Sequence, residues 1–452
     1  MAQRVGAYGG TIKDGHGTTV KVTPEWRVYA LGATLCAALT LCSRNFGDRG
    51  GPYFMASLTL AGIAYLLAIR ELFAAPGFSR RVVVIGLVLA ATWHIEFLRL
   101  PAGADDDIHR YVWDGRLQRL GYNPYIVVPS DPAAKGLHTP ETRSLNNPDL
   151  GSPYPAGAQL FFRAITAIHE STSALKVAFA VCDLLIVFLL LDELRRLRQG
   201  AHLVLVYAWS PLLAIEVAGS GHIDIVGALL LLVSAVALAR RWRATAAVAL
   251  GLAVAVKLLP IVLLPLYWKR VRIRDAVLAA AVVGLLYVPF LNHGRIPVGS
   301  FGTYVQSFRF NGPVFAVLDR VASPQLLAGL AVLAGMATAT WLRRAAAEGS
   351  PDEFAWPMAA SLLCAPVVFP WYLLWLVPFL TSASTRLIIL WTVSIIPTYV
   401  QWHSRTLGRP WGALPGWVML LEYGCLAIAA AIIVIRRSTR PAAPLCSADR
   451  VE

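Results

Sequence analysis

Residues 82–115 read VVVIGLVLAATWHIEFLRLPAGADDDIHRYVWDG, and the change of character within this stretch decides the fold. Residues 82–100 are mostly apolar and have the length of about 20 residues that a helix needs to cross a lipid bilayer. Pro101 and three consecutive aspartates, Asp105–Asp107, then end the apolar run. The stretch predicts a membrane-spanning helix that delivers an acidic segment to one surface of the membrane.

The composition of the whole chain agrees with a membrane protein. Of its 452 residues, 57% are hydrophobic and 15% are charged, whereas about a quarter of the residues in a soluble domain are charged. These figures exclude a soluble globular enzyme and a disordered chain. The net charge is +14, but on an apolar chain a surplus of Lys and Arg is typical of cytoplasmic loops rather than of nucleic-acid binding.

The apolar runs predict an all-α, polytopic integral membrane protein with about 12–13 transmembrane helices. These runs lie at 26–43, 53–72, 82–100, 174–194, 202–217, 222–240, 274–291, 324–343, 354–369, 371–383, 387–401 and 416–435. A further apolar stretch, 244–268, has Lys257 and Pro260 at its middle and basic clusters at both ends. Because positive charge marks the cytoplasmic side, we expect this stretch to be a re-entrant pair of helices that is broken near Lys257.

The same rule predicts the orientation of the chain. With both termini in the cytoplasm, the basic clusters that follow the spans all fall on the cytoplasmic side. One long span over 354–383, instead of a hairpin at Pro370, would move the last basic cluster outside and is disfavoured. The predicted parts are a cytoplasmic N-terminal tail (1–25), a transmembrane domain (26–435) with a long extracytoplasmic loop (101–173), and a cytoplasmic C-terminal tail (436–452).

The external loop begins with a predicted amphipathic helix that ends near Gly121. At 100° per residue, one face carries polar and charged groups, from Asp107, Arg110, Asp114 and Gln118. The opposite face is apolar and suited to lying at the membrane interface, with Trp113, Leu117 and Leu120. The polar face therefore presents a carboxylate and a guanidinium together.

Asp105–Asp107 form the candidate catalytic group. The simpler interpretation is a helix cap, because carboxylates are favoured at helix N-termini. A cap needs one carboxylate and three adjacent like charges repel, so we favour a chemical role. Mg²⁺ or Mn²⁺ accepts such oxygen ligands, but adjacent residues of a helix point 100° apart. A site for Mg²⁺ or Mn²⁺ is therefore the weaker alternative, and we expect catalysis to require neither a metal nor another cofactor.

Several motifs occur in an order that resembles one enzyme superfamily. They are Asp106-Asp107-Ile-His-Arg-Tyr-Val-Trp-Asp-Gly, Gly121-Tyr-Asn-Pro-Tyr125, Ser152-Pro-Tyr-Pro-Ala-Gly-Ala-Gln159, Gly221-His222-Ile-Asp224, Lys257-Leu-Leu-Pro260 and Phe369-Pro-Trp371-Tyr372. The combination resembles the multi-span C-type (GT-C) glycosyltransferases, in particular the bacterial polyprenol-phosphate-mannose-dependent α-mannosyltransferases. The resemblance runs from about residue 100 to residue 380.

The resemblance implies a reaction of cell-envelope biosynthesis. A sugar, here mannose, passes with inversion from a polyprenyl-phosphate donor to an extracytoplasmic glycan or lipid-linked acceptor. One carboxylate must take the acceptor proton, and Asp107 and Asp106 both remain candidates for this base. The leaving group is already a phosphate, so cations rather than a general acid must stabilise its developing charge.

Three cations are candidates for the donor phosphate. Lys257 is ionisable and lies within an apolar stretch, which indicates function, and the alternative is a lysine that snorkels to the surface. Arg110 either contacts the phosphate or pairs with Asp114 four residues later. Arg309 is either a third phosphate ligand or a solvated charge of the external loop 292–323.

Four further residues complete the predicted substrate site. His222 and Asp224 begin a span on the external side, where the simpler interpretation is a helix cap. Trp371 and Tyr372 follow the turn at Pro370 and form either a platform for sugar or lipid or part of the aromatic belt.

Two other classes of protein compete with a glycosyltransferase. A transporter or lipid flippase would use helices broken at Lys257 and Pro370, yet no internal repeat is visible and the polar residues concentrate in one loop. A non-catalytic scaffold leaves Asp105–Asp107 and Lys257 unexplained. We therefore predict a multi-pass enzyme of the cell membrane whose active site faces the extracytoplasmic side. Its expected partners are the donor, the acceptor and membrane lipids, and not nucleic acid.

Overall fold

The structure, a computed structural model, describes residues 11–13, 19–21, 24–103, 106–297, 299–346, 349–409 and 414–438. Asp105, most of the predicted N-terminal tail and residues 439–452 of the predicted C-terminal tail lie outside the described residues. What the sequence predicts for them stays a prediction.

The described residues form a predominantly helical protein. Its α-helices are α1 (Glu25–Arg44), α2 (Pro52–Ala74), α3 (Arg80–Leu98), α4 (Asp107–Arg119), α5 (Ala156–Ile168), α6 (Thr172–Arg196), α7 (Val204–Ala208), α8 (Asp224–Ala239), α9 (Arg243–Val256), α10 (Leu264–Tyr267), α11 (Ile273–Tyr287), α12 (Phe301–Ser307), α13 (Pro313–Leu318), α14 (Pro324–Ala345), α15 (Pro351–Leu363), α16 (Arg386–Ser394), α17 (Val400–Thr406) and α18 (Gly416–Ser438). Leu213–Gly219 is a π-helix. A short antiparallel ribbon, β1 (Thr11–Lys13) with β2 (Thr19–Lys21), precedes α1.

Short 3-10 helices join many of these elements. They are Phe46–Asp48, Pro132–Leu137, Pro140–Thr142, Ala201–Leu203, Leu259–Leu263, Val288–Phe290, Pro370–Trp375, Val377–Phe379, Ala383–Thr385 and Ile396–Tyr399. Several begin with proline at the first or second position, where the missing N–H of proline costs no hydrogen bond.

Eight helical segments of the described chain are long and apolar enough to cross a membrane. They are Glu25–Arg44, Pro52–Ala74, Arg80–Leu98, Thr172–Arg196, Ile273–Phe290, Pro324–Ala345, Ala383–Thr406 and Gly416–Arg436. A ninth candidate is the pair Ala201–Ala208 and Leu213–Gly219, which is bent by 65°. The chain is therefore a multi-pass membrane protein, as predicted, and length and hydropathy give eight or nine spans among the described residues against the expected 12–13. Which side each terminus faces stays a prediction.

The surplus spans are apolar segments that pack inside the protein. The predicted span 222–240 is α8, which has 16 residues, most of them buried. The predicted span 371–383 is largely a pair of buried 3-10 turns, Pro370–Trp375 and Val377–Phe379. Hydropathy does not distinguish a segment buried by protein from one buried by lipid, and a short apolar run is more often a core segment.

The predicted break near Lys257 is confirmed. Helix α9 ends at Val256, and Lys257 has an extended backbone (φ −159°, ψ 144°). A 3-10 helix, Leu259–Leu263, follows with Pro260 at its start. The break places the Lys257 side chain at a helix end instead of within a continuous span, while the re-entrant path stays a prediction.

The predicted amphipathic helix of the loop 101–173 is α4, which begins at Asp107 and packs against α5. Its apolar face is covered by its own loop, because Trp113 and Leu117 are buried against Ala134 and Leu145. Their predicted position at the membrane interface is therefore wrong. Leu120, the third member of that face, is exposed.

Candidate active site

A cavity of about 1020 Å³ brings most of the predicted site residues together. Its lining includes Asp106, Asp107, Arg110, His222, Lys257, Trp371 and Tyr372. Its walls come from α4 and the following loop, the turn before α8, the break after α9, α12, α14 and the 3-10 helix Pro370–Trp375. The lining contains both charged and apolar side chains.

Asp106 has both carboxylate oxygens engaged by the protein. Arg49 Nη2 lies 2.6 Å from Asp106 Oδ1, and the Gly103 backbone N–H donates to Oδ2 at 2.8 Å. The side chain is only 4% exposed. The first aspartate of the pair therefore joins the loop after α1 to the start of α4.

Asp107 is held on one side and open on the other. Asn146 donates its amide to Asp107 Oδ1 at 2.6 Å. Asp107 Oδ2 lies 3.9 Å from Nδ1 of His222, and the side chain is 21% exposed to the cavity. Of the two aspartates, Asp107 has the carboxylate oxygen that a substrate hydroxyl can reach.

His222 lies between two carboxylates. Gly221, with φ of +77°, makes the turn that a residue with a side chain rarely adopts. The imidazole of His222 then stacks on Trp371, with ring centres 4.0 Å apart, and its Nε2 lies 3.1 Å from Glu216 Oε2. Burial alone lowers the pKa of His222, but the carboxylates, Glu216 first, outweigh it and raise the pKa above its usual value.

Lys257 reaches the cavity from the end of α9. Its Nζ lies 2.8 Å from Asp224 Oδ1 and 4.0 Å from the centre of the Tyr372 ring. Asp224 is fully buried and also accepts a hydrogen bond from Trp375 Nε1 at 2.7 Å. The Tyr372 hydroxyl is hydrogen-bonded to that of Tyr304 in α12. Asp224 thus lies behind Lys257, whose side chain remains 23% exposed.

Arg110 makes the intrahelical pair that was one of its two predicted roles. Its Nε donates to Asp114 at 2.9 Å and its Nη2 donates to the Leu150 carbonyl. Asp114 also accepts from Ser152 and Gln159. The motif Ser152–Gln159 thus holds α4 against α5, and Arg110 lines the cavity with part of its donors already used.

The structure does not bring Arg309 to this site. Its guanidinium pairs with Asp319, lies over the Phe315 ring and donates to backbone carbonyls of its own loop. Arg309 is not part of the cavity lining. The interaction with Asp319 is local, so the second predicted role, a charge of the loop, describes it better.

Three charged groups of the site were missed from the sequence. Arg49 lies in the loop between the first two spans, which the predicted orientation puts outside, so a basic residue there departs from the positive-inside rule. Glu216 lies in an apolar run, where an ionisable residue indicates function. Arg143 is exposed on the cavity lining, and within the described chain its side chain makes no ion pair or hydrogen bond.

Whether the site binds a metal ion stays a matter of prediction. Among the described residues, no group of three or more His, Cys, Asp or Glu side chains is arranged to hold a metal ion. Asp105, the first of the three aspartates, lies outside those residues.

The sequence matches a known protein family. Residues 33–271, more than half of the chain, match the family described as alpha-(1->6)-mannopyranosyltransferase, N-terminal domain. The chain belongs to this family of mannosyltransferases. The matched part contains Asp106, Asp107, His222 and Lys257, whereas Trp371 and Tyr372 lie beyond it.

One solved structure is similar to this chain. It is ArnT from Cupriavidus metallidurans bound to undecaprenyl phosphate, with 16% sequence identity and a TM-score of 0.44. The match covers 79% of this chain and 64% of the ArnT chain. No curated protein matches the sequence.

Proposed function

We propose that this protein transfers mannose from a polyprenyl-phosphate donor to a glycan or lipid-linked acceptor on the extracytoplasmic side of the cell membrane. Membership of the mannosyltransferase family supports the sugar and the reaction class. The observation that carries the proposal is the Asp107 carboxylate, which opens into a cavity that Lys257 also lines. A base and a phosphate-binding cation are the two parts that this transfer needs.

Asp107 is the base of the proposed reaction. The acceptor hydroxyl attacks the anomeric carbon, its proton passes to Asp107 Oδ2, and the bond from that carbon to the phosphate oxygen breaks. The polyprenyl phosphate leaves with the bonding electron pair. One displacement from the opposite face inverts the anomeric centre. Asn146 binds Oδ1 of the carboxylate, which leaves Oδ2 for the acceptor proton.

Lys257 is the proposed ligand of the leaving phosphate. A lysine ammonium has three N–H donors, and one is used by Asp224. The remaining donors and the charge stabilise the phosphate as the bond to the sugar breaks. Arg143 is a second cation of the same lining, and an arginine side chain suits bidentate binding of a phosphate. No step of this scheme requires a metal.

The apolar part of the cavity supports a lipid-linked donor. Leu258 and Leu259 follow Lys257 directly, and Ala328, Ala331 and Leu362 of α14 and α15 lie on the same lining. A prenyl chain gains free energy from such contacts in proportion to the apolar area that it buries. The polar and apolar parts together suit a donor whose phosphate is bound to a hydrocarbon chain.

The test is a transfer assay with purified protein in lipid nanodiscs. Candidate polyprenyl-phosphate sugars with labelled sugar are offered singly, and we expect the mannose donor to be consumed. Asp107→Asn should reduce transfer by at least about 100-fold, because general-base catalysis contributes a factor of that size. The matched control is Asp131→Asn in the same loop, an exposed carboxylate outside the cavity lining.

Three outcomes would overturn the proposal or a part of it. Wild-type transfer rates in Asp107→Asn would remove the assigned base. Movement of a labelled lipid across liposomes without any sugar transfer would favour the transporter or flippase that the broken helices also suggest. An anomeric centre that is retained in the product would contradict the single displacement.

A further inference from the structure

Glu216 is a buried acid behind the proposed active site. Its side chain is 2% exposed, and it is not part of the cavity lining. It lies on the π-helix Leu213–Gly219, a rare form of helix that is frequent at functional sites. Glu216 Oε1 accepts a hydrogen bond from the Tyr399 hydroxyl, while Oε2 faces Nε2 of His222.

The backbone and the side chain of Glu216 both hold His222. The His222 backbone N–H donates to the Glu216 carbonyl at 2.9 Å, and Nε2 lies 3.1 Å from the Glu216 carboxylate. Stacking on Trp371 fixes the plane of the imidazole. These contacts leave one ring atom uncommitted: Nδ1 is buried, and no described residue forms a hydrogen bond with it.

The uncommitted atom points toward the proposed base. His222 Nδ1 lies 3.9 Å from Asp107 Oδ2, so direct proton transfer requires the two groups to approach to hydrogen-bond distance. With Nε2–H donated to Glu216, the neutral imidazole has its lone pair at Nδ1. A protonated Asp107 therefore has an acceptor for its proton directly behind it.

We propose that Glu216 is a positioning residue that holds the imidazole of His222 by Nε2, so that Nδ1 accepts the proton that Asp107 takes from the acceptor hydroxyl. This inference rests on the proposed function. The acceptor proton moves to Asp107 Oδ2 and then to His222 Nδ1, while the electron pair of the broken glycosyl bond leaves with the polyprenyl phosphate. The imidazolium is stabilised by Glu216 and returns its proton through Asp107 to water once the products have left.

The charged groups around His222 set the direction of the pH dependence. Asp107 faces it from α4, Glu216 from the π-helix and Asp224 from α8, and all three raise its pKa. Lys257 is paired with Asp224, and Arg49 interacts electrostatically with Glu216. Transfer needs neutral His222 at the start, so the rate falls as the pH drops through the pKa of His222.

The first experiment is the pH profile of kcat for Glu216→Gln. Loss of the carboxylate lowers the pKa of His222, so the acidic limb should move to lower pH by about one unit. The plateau rate should fall roughly tenfold or more, with little change in KM, because the proton acceptor is weaker. The control is Glu422→Gln, which removes another fully buried carboxylate, one held by Trp391 and Asn311 away from His222.

A second variant moves the limb in the opposite direction and keeps the test valid if Glu216→Gln does not fold. Tyr399→Phe removes the hydroxyl that donates to Glu216. The carboxylate then stabilises the imidazolium more strongly, so the acidic limb should move to higher pH. A merely structural role for Glu216 would lower the amount of folded protein in either variant without moving the limb.

An independent readout is NMR titration of imidazole nitrogens in protein labelled at histidine, with His222 assigned through His222→Gln. We expect the pKa of His222 to be above its usual value in the wild type and to drop in Glu216→Gln. An active enzyme whose acidic limb is the same in wild type and Glu216→Gln would overturn the inference alone. A protein that transfers no sugar from any donor would overturn the proposed function, and this inference with it.

Discussion

The wall of the cavity at the start of α4 carries the aspartates Asp106 and Asp107, and the wall at the start of α8 and the end of α9 carries Asp224 and Lys257. On the first wall, Asp106 is held through both oxygens by Arg49 and Gly103, whereas Asp107 keeps an oxygen that no described donor binds within hydrogen-bond distance. On the opposite wall, Asp224 is fully buried, whereas the Lys257 ammonium reaches the cavity.

The comparison shows how a membrane protein places charge in a site of low polarity. A buried charge without a partner is costly, so each wall contains one charge whose task is to satisfy or position others. The second charge of each wall retains a donor or acceptor atom for the substrate. The charges that remain for the substrate have opposite signs, with the Asp107 carboxylate on one wall and the Lys257 ammonium on the other.

The largest effect on stability is expected at the held aspartate, Asp106. Asp106→Asn leaves the buried Arg49 guanidinium without its counter-ion and should destabilise the protein by about 3 kcal/mol. The thermal unfolding midpoint in detergent measures this. Asp192→Asn removes an exposed partner of Arg240 and should leave the midpoint unchanged. Equal midpoints for all three proteins would show that the α4 wall does not depend on the Arg49–Asp106 pair.

The next effect is expected at the opposite wall, in the binding of the donor. Lys257→Met removes the proposed phosphate ligand and should lower kcat/KM for the donor by about 100-fold, while Lys257→Arg should retain part of the activity. Because Lys257→Met also leaves Asp224 unpaired, the double variant with Asp224→Asn separates loss of phosphate binding from misfolding. A double variant with the wild-type kcat/KM would exclude Lys257 as the phosphate ligand.

The smallest effect is expected at the tyrosine pair on which the Lys257 ammonium lies. Tyr372→Phe removes the hydrogen bond to Tyr304 but keeps the ring beneath the ammonium, so it should cost about 1 kcal/mol at most. Tyr304→Phe should cost the same, and the two changes together should cost no more than either one, because they remove one shared bond. Transfer rates and unfolding midpoints of the three variants form a double-mutant cycle, and additive losses would contradict a shared bond.

Much of this site was accessible from the sequence, because motif order and intramembrane charge are local signals. Asp107, His222 and Lys257 were predicted and line one cavity. The choice between Asp106 and Asp107 was not accessible, since it depends on Arg49, whose side chain meets Asp106 across 57 positions of the chain. Arg309 was a candidate by its place in the predicted external loop 292–323, and its actual partner, Asp319, lies ten residues away.

The fold class was predicted correctly, but more apolar runs were counted as spans than the described residues have long apolar helices. An apolar run predicts that a segment is shielded from water, but it does not show whether lipid or protein shields it. In α8, a Cβ at Gly227 would lie 1.9 Å from the Trp375 ring. That face of the helix is therefore packed on protein. Tertiary packing of this kind leaves no period or composition in the sequence by which such a helix differs from a span.

The most direct measurement compares Asp106→Asn and Asp107→Asn side by side, for sugar transfer and for thermal unfolding. The account predicts opposite outcomes: Asp107→Asn keeps the unfolding midpoint and loses transfer by at least about 100-fold, whereas Asp106→Asn lowers the midpoint and its folded fraction still transfers sugar within about tenfold of wild type. A fully active Asp107→Asn, or an Asp106→Asn that is as stable as wild type and inactive, would contradict it.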